Sequence, residues 1–502
     1  MTALGRACAV SAVLLALATF SCGEARRPEA PESTQATQIN PSPTSSTSPK
    51  PFPNKEFNTV STLINDAIAA RQLPGAVVVV GHGGAIVYEQ AFGLRKLAGE
   101  PGPDGAPTPE EPMTDDTIFD LASLTKSLAT ATAVMQLYEQ GKVQFDDAVE
   151  KYLPDFNPGR DPLRADVTVR MLLTHTSGLV GELDLRDPWG LDGPDKAEGI
   201  RRALTKPLEA SPGASFRYSD VNFILLGLMV ERITGHPEDV YVQQNVFEPL
   251  GMGDTRYLPP AKACGPQQIR GSAVALTAGP PTTCGAGEWD AALLSRVAPT
   301  ARDEESRADP GANPDLDFLL RGTVHDPTAR RMGGVAGSAG VFSTAHDMSI
   351  YAQALLDRLA GRPSTFPLTQ STLQLMTSPE QPGHTPEQVD AANAATQEAI
   401  ETTPNTEHPL LAPHYPAIPG QNLRGFGWDI DTGHSKPRGM VFPIGSFGHV
   451  GFTGTSLWID PASDTYVVLL TNVIHLRGSA PITNLQGELA TLAARALHLY
   501  GS

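Results

Sequence analysis

Residues 119–142 read FDLASLTKSLATATAVMQLYEQGK. Beyond the first few positions the apolar residues recur at helical spacing, which predicts a helix over 123–140. Lys126 does not fit an ordinary surface helix. It stands three positions after Ser123, and residues three apart share a helix face. The other helical neighbours, Ala122, Ala129 and Thr130, are small and uncharged, so no acid is in register to pair with the ammonium. A serine hydroxyl attacks well only when a base takes its proton, and a lysine in register can be that base. A free lysine, with a pKa of about 10.4, is neutral in only about one molecule in a few thousand at pH 7. Burial among apolar groups lowers that pKa by up to about 3–5 units, and the company of Lys126 suits such a site. A helix start beside Ser123 also aims N–H groups and the positive dipole end at charge developing there. S-x-x-K is common by chance, however. A capping serine and a solvated lysine read the same four residues equally well, so the pair needs partners.

Two stretches supply candidates. In PGASFRYSDVNFILLG (212–227), Tyr218 immediately precedes a helix predicted over 219–235, with Asp220 as its candidate N-cap and Gly235 as its stop. A tyrosine near a serine and a lysine can relay a proton, and a nearby ammonium lowers its pKa from about 10. Packing of Tyr218 on the helix is the plainer alternative. In FGHVGFTGTSLWID (447–460), Gly451 and Gly454 lie on the approach to an apolar strand. Glycines there permit close approach of another backbone or a ligand, or mark a bulge.

The chain has 502 residues, 40% hydrophobic and 18% charged, enough for one large or two ordinary domains with a sizeable core. Net charge is −18, from 37 basic and 55 acidic residues, with no basic block, which argues against a nucleic-acid partner. No H-e-x-x-H or paired C-x-x-C spacing occurs, nor a complete G-x-S-x-G or a phosphate loop, so neither a metal nor another cofactor is expected. Residues 1–22 read as a targeting signal: Arg6, the apolar run ACAVSAVLLALATF, then Ser21-Cys22-Gly23. That ending resembles a bacterial lipoprotein signal with Cys22 as the lipidated residue, although Thr19 stands where leucine is usual; an ordinary secretory signal is the alternative. Residues 23–55, rich in Pro, Ser and Thr, cannot bury enough apolar surface to fold and read as a disordered tether. These features predict an exported protein of the bacterial cell envelope, held to a membrane through its lipid. Of four cysteines, Cys264 and Cys284 lie in the body of the chain; an oxidising compartment allows them to pair, and two free thiols are the alternative.

Within 56–502, GAVVVVGHGGAIVYEQAFG (75–93) predicts a β-hairpin and 455–472 a second one around a Pro/Asp turn. Helices are predicted over 166–179, capped by Thr168 and stopped by Gly178, over 343–361 with a Thr344-x-x-Asp347 box, and over 485–499. Residues 258–318 and 378–422 read as surface insertions. Strands at both ends with helices between predict an α+β fold, with an antiparallel sheet built from both termini, flanked by helices, plus an all-helical region.

The three motifs in this order, S-x-x-K, Y-S-x and H-x-G, resemble those of the serine β-lactamase and penicillin-binding superfamily. The branch most similar contains class C β-lactamases, D-Ala-D-Ala carboxypeptidases and related esterases. LLTHTSGL, VHDPTARRMGGVAGSAGVFSTAHDM and GHVGFTGTSLWIDP are similar to further signatures of that family, and the resemblance spans about residues 57–500. It implies a β-lactamase/transpeptidase-like serine hydrolase domain over 56–502. Ser123 would be the acylated nucleophile, Lys126 its partner, and Tyr218 the general base or acid. Asp220, His449, Gly451 and Phe452 would bind substrate, and the N–H groups of Ser123 and Phe452 would form the oxyanion hole. Two departures weaken a β-lactam reading: Asp220 stands where asparagine is usual, and the third motif lacks the lysine that attracts a substrate carboxylate. The expected substrate is a small molecule or peptide carrying an ester or amide, such as a cell-wall D-amino-acid peptide, an ester or, less favoured, a β-lactam. The competing class is a slow-deacylating penicillin-binding or sensor-type envelope protein. No oligomeric state follows from the sequence.

Overall fold

The computed structural model describes residues 55–280 and 282–502. The targeting signal with Cys22, and the tether except for its last residue, lie outside the described residues.

An eight-stranded antiparallel sheet carries the architecture. Its strands are β1 (Gly75–His82), β2 (Ala85–Lys96), β3 (Glu111–Pro112), β4 (Leu423–Arg424), β5 (Asp429–Asp431), β6 (Phe447–Val450), β7 (Ser456–Asp460) and β8 (Thr465–Thr471), in the spatial order β4-β5-β6-β7-β8-β1-β2-β3. The two hairpins read from the sequence are β1–β2 and β7–β8. They meet in the middle of the sheet, where Ala76 faces Thr471 and His82 faces Thr465. The first and last strand pairs of the domain therefore build one sheet, as expected for this α+β fold.

The run AVVVV of β1 is apolar without alternation because both faces of the sheet are covered. Val77 and Val79 point into one core, together with Val468 and Leu470 of β8. Ala76, Val78 and Val80 point into the other, with Val467 and Leu469. That second core is closed by helix α1 (Asn58–Ala69) and by the helix read near the C-terminus, which spans Thr483–Ala496. Helix α1 has no counterpart among the elements predicted from the sequence. The first core is larger and lies under the helical region.

The helices differ from their predicted bounds in instructive ways. The predicted helix over 123–140 is a π-turn at Lys126–Ala131 running into α2 (Thr132–Glu139). The wider turn is held by tertiary bonds: Thr132 Oγ1 donates to Ser127 O at 3.0 Å, and Ser127 Oγ donates to Gly427 O at 2.6 Å. Helix α3 (Val169–Leu173) is capped by Thr168 as expected but ends five residues before Gly178, because His175 turns into the left-handed region at φ 56°. Helix α4 (Asp220–Thr234) is capped by Ser219, whose hydroxyl accepts from Asn222 N, and not by Asp220. Its stop is Gly235, at φ 74°. Helix α5 (Ala345–Leu359) has the predicted Thr344 cap on Asp347 N.

Neither predicted insertion is only surface. Residues 258–318 bury Trp289, Leu294 and Val297 in the main core, and Trp289 Nε1 donates to Pro259 O at 2.8 Å. Cys264 and Cys284 are joined there by a disulfide, with their Cα atoms 5.7 Å apart. Residues 378–422 contain a 16-residue helix, Glu387–Thr402, whose Ala, Gln and Glu content favours helix.

Candidate active site

The chain reaches Ser123 through a short strand, Phe119–Asp120, paired with Val341–Ser343. Ala122 then adopts φ 48°, a conformation that L-residues avoid. Asp120 holds it there: one carboxylate oxygen accepts from Ala122 N at 2.9 Å, the other from His325 N at 2.7 Å. Burial pushes the Asp120 carboxyl up to about 6. The kink turns Ser123 out of the strand direction just before the helix starts.

Lys126 is completely buried. Its Nζ donates to Ser123 Oγ at 2.9 Å and to the Ser338 carbonyl at 2.8 Å, and lies 2.6 Å from Asp220 Oδ1. The Tyr218 side chain lies beside both Ser123 and Lys126, and the ammonium lies 5.1 Å from the centre of its ring. Ser123, Lys126, Tyr218 and Asp220 thus converge from two chain segments.

The helical neighbours of Lys126 leave its charge state open, and partners from outside its helix decide it. Burial favours the neutral amine, but the Asp220 charge, joined by Tyr218, outweighs it and raises the pKa above that of a free lysine. Lys126 therefore rests as an ammonium. Burial also raises the Tyr218 phenol above its ordinary range, against the pull of Lys126. At pH 7 the resting set is a serine hydroxyl, an ammonium–carboxylate pair and a neutral phenol.

The third motif is stitched to the same place. Thr453 Oγ1 donates to Asp120 O at 2.7 Å, and Thr455 Oγ1 to Leu121 O at 3.1 Å. Gly451 is pressed so close that a Cβ would stand 2.3 Å from Leu121 O. This explains the glycine and presses the segment before Phe452 onto the Leu121 carbonyl, two residues before Ser123. Among the described residues, the Ser123 and Phe452 amides donate to no protein acceptor. The Phe452 ring is 71% exposed and stacks on His325, with centroids 5.7 Å apart. A cavity of about 310 Å³ opens beside these two rings. Larger cavities, of about 470 and 690 Å³, contain none of the motif residues.

His449 is placed differently from its expected role at a substrate surface. It is 1% exposed, its Nδ1 bonds the Val450 carbonyl at 2.8 Å, and burial pushes it down to about 3. It is a neutral ring under the site, with its centroid 6.0 Å from Tyr218.

Several residues here had no role in the sequence reading. His175, inside LLTHTSGL, accepts from Ser219 N through Nδ1 at 3.1 Å and packs 4.4 Å from the Tyr218 ring. It fixes both the tyrosine and the cap of α4, and burial keeps it neutral. His434 packs on the same ring at 5.2 Å. Ser338 contributes only its carbonyl, which no side-chain pattern reveals. Asp326 caps the short helix 327–331, and burial, with Asp220 nearby, pushes its carboxyl up to about 7. The signal was present in VHDPTARRMGGVAGSAG, whose glycines and buried polar residues have no helix or strand period. Ser177, the other serine in a signature, is buried; it donates to Asn222 Oδ1 at 2.6 Å.

The sequence matches the Beta-lactamase family profile over residues 60–490. It is 31% identical over 438 residues to the N-acetylmuramyl-L-alanine amidase of Bacillus subtilis (strain 168), covering 84% of this chain and 82% of that one. It is 28% identical over 423 residues to the putative D-alanyl-D-alanine carboxypeptidase of Escherichia coli (strain K12), covering 82% and 81%. Among solved structures, unliganded simvastatin synthase from Aspergillus terreus is similar in fold, with a TM-score of 0.57 at 24% identity over 89% of this chain and 99% of that one.

Proposed function

This chain belongs to the beta-lactamase family and is a serine hydrolase, and we propose that it works through an acyl-enzyme on Ser123. The observation that carries this is the single convergence of Ser123 Oγ, Lys126 Nζ, Tyr218 and two undonated amides. The step that needs explaining is how a serine is activated beside an ammonium. Asp220 is within proton-transfer distance of Lys126. When a substrate expels water, the ion pair loses solvation and the neutral pair becomes competitive. Lys126 then hands a proton to Asp220, and its free lone pair takes the Ser123 proton. Ser123 Oγ attacks the carbonyl carbon while the oxyanion accepts from Ser123 N–H and Phe452 N–H. Tyr218 donates its proton to the departing alkoxide or amine and is refilled from Lys126. Water repeats the sequence in reverse to release the acid.

The substrate we propose is an ester or amide without a carboxylate next to the scissile bond: an internal amide of a cell-wall D-amino-acid peptide or an ester, ahead of a β-lactam. Asp220 neutralises the Lys126 ammonium beside the serine, and neutral His449 adds no charge. The Bacillus subtilis relative is named for an amidase, which supports a wall amide; the Escherichia coli relative is named for a carboxypeptidase, whose substrate ends in a carboxylate, and supports only amide cleavage. We further propose export and a lipid anchor at Cys22. The Arg6 and apolar signal pattern and the Cys264–Cys284 disulfide support an oxidising compartment. Among the described residues no helix is long and apolar enough to cross a membrane. The test is hydrolysis of a panel of p-nitrophenyl esters, D-alanyl peptides and nitrocefin, with Ser123→Ala as control. Stoichiometric acylation without turnover on the whole panel would replace this reading by the slow-deacylating sensor.

A further inference from the structure

Thr130 sits one turn beyond Lys126, and its hydroxyl has two close oxygen neighbours: Glu238 Oε1 at 2.7 Å and the Gly337 carbonyl at 2.8 Å. Thr130 and Glu238 are both buried. A hydroxyl carries one proton, and a carbonyl only accepts. With an ionised Glu238, one of these contacts would press two acceptors together in a dry site. Only a protonated Glu238 satisfies both.

Gly337 immediately precedes Ser338, whose carbonyl holds Lys126. The turn is also pinned from behind. A Cβ on Gly337 would lie 2.1 Å from Phe223 O, and one on Gly227 would lie 2.4 Å from Glu238 Oε2. The glycines of GGVAGSAG thus let this turn press directly on the backbone of α4.

We infer that Glu238 is a positioning residue: as a neutral acid it donates to Thr130, Thr130 donates to Gly337 O, and this chain fixes the turn whose next carbonyl, Ser338 O, aims Lys126 at Ser123. The inference rests on the proposed role of Ser123 and Lys126. The surroundings agree. Burial pushes the Glu238 carboxyl up to about 8, and Glu231 and Asp239 push the same way. The Thr130 bond and Lys196, itself paired with Glu231, oppose them. Tyr257, packed on the same cluster, is a neutral phenol donating to Ala336 O. As pH rises through about 8, Glu238 ionises and the chain loses its first donor. Acylation should therefore fall on the alkaline side near pH 8. Lys126 and Tyr218 are both raised above their ordinary values, so neither supplies a limb there.

The experiment measures the rate of labelling by a fluorophosphonate probe from pH 6 to 10. The wild-type protein should lose rate around pH 8. Glu238→Gln keeps an N–H donor for Thr130 and cannot ionise; it should retain most of the pH 7 rate and lose the limb. Glu238→Ala removes the donor and should slow labelling at pH 7 by at least about tenfold, with its folding checked by circular dichroism. If Glu238→Ala does not fold, the Glu238→Gln profile decides alone. A limb near pH 8 that persists in Glu238→Gln overturns the inference. Labelling that survives Ser123→Ala instead overturns the reading of the site, which separates the two failures.

Discussion

Replacing Asp220 by asparagine should change both the titration of the site and its choice of substrate. The Asp220 oxygen lies 2.6 Å from Lys126 Nζ, and its side chain is 19% exposed. Coulomb's law at that distance gives about 1.6 kcal/mol in bulk water and about 6 kcal/mol at an effective dielectric of 20. One pKa unit corresponds to about 1.4 kcal/mol, so the lysine should fall by at least about one unit, with burial then unopposed. Asparagine cannot take the proton that Lys126 gives to Asp220, so labelling at pH 7 should slow and recover as pH rises toward the lowered lysine pKa. Removing the carboxylate also removes repulsion of an anionic substrate. At 4 Å that repulsion is about 1 kcal/mol even in water, or about fivefold. The nitrocefin-to-ester rate ratio should rise at least that much. Stability gives an independent reading. At about 6 kcal/mol the fall is about four units, which takes the folded lysine below its unfolded value; between the two values the unfolded chain binds more protons and stability increases with pH. The deficit in Tm relative to wild type should therefore widen as pH falls from about 10.4, the unfolded lysine value, to the new folded value, and hold constant below it. A rate–pH profile and a substrate ratio both unchanged in Asp220→Asn would refute the ion pair as the determinant of charge and specificity.

Three further outcomes follow from the same geometry. A fluorophosphonate should label Ser123 alone; Ser177→Ala should keep that reactivity while losing about 1–3 kcal/mol of stability, because it leaves a buried Asn222 acceptor unsatisfied, and a label mapped to Ser177 would overturn the assignment. Tyr218→Phe should slow acylation by about 10²-fold or more, in the range of acid–base contributions, and a wild-type rate would remove the phenol from the mechanism. Alkylation of the unfolded chain without reductant should leave Cys264 and Cys284 unmodified, and Cys264→Ser with Cys284→Ser should cost about 3 kcal/mol for a loop closed across 20 residues.

Elements governed by local period were readable from the sequence, and those governed by distant contacts were not. The hairpins at 75–93 and 455–472 follow from apolar runs around turn residues, and they appear as β1–β2 and β7–β8. The caps at Thr168 and Thr344 are equally local. The cap of α4 was misassigned by one residue because Ser219 and Asp220 are both good capping types. Only the position of Lys126, 94 residues earlier in the chain, explains why the serine caps while the aspartate faces the ammonium. The π-turn escaped for a similar reason. It differs from an α-turn by one residue, and the bonds that widen it come partly from Gly427. The stretch 258–318 was misread because its Gly, Pro and charged residues mask three core anchors, Trp289, Leu294 and Val297.

The reading of Lys126 shows what a local window can and cannot decide. Small neutral neighbours correctly indicated burial, and Lys126 is fully buried. They did not indicate a neutral amine, since a charge can be held in a dry place by partners from elsewhere. Here those partners are Asp220 from α4, the Ser338 carbonyl from the turn on α4, and Tyr218 from the segment before it. A lone buried ammonium would cost several kcal/mol, and no single partner offsets that. Burial and charge therefore arise together, from the same packing of the 119–131 segment on α4 and the glycine turn. A lysine held this way depends on the spacing of elements over two hundred residues apart. Substitutions that thicken the glycine turn, as at Gly337 against Phe223 O, should consequently disable the serine without touching it.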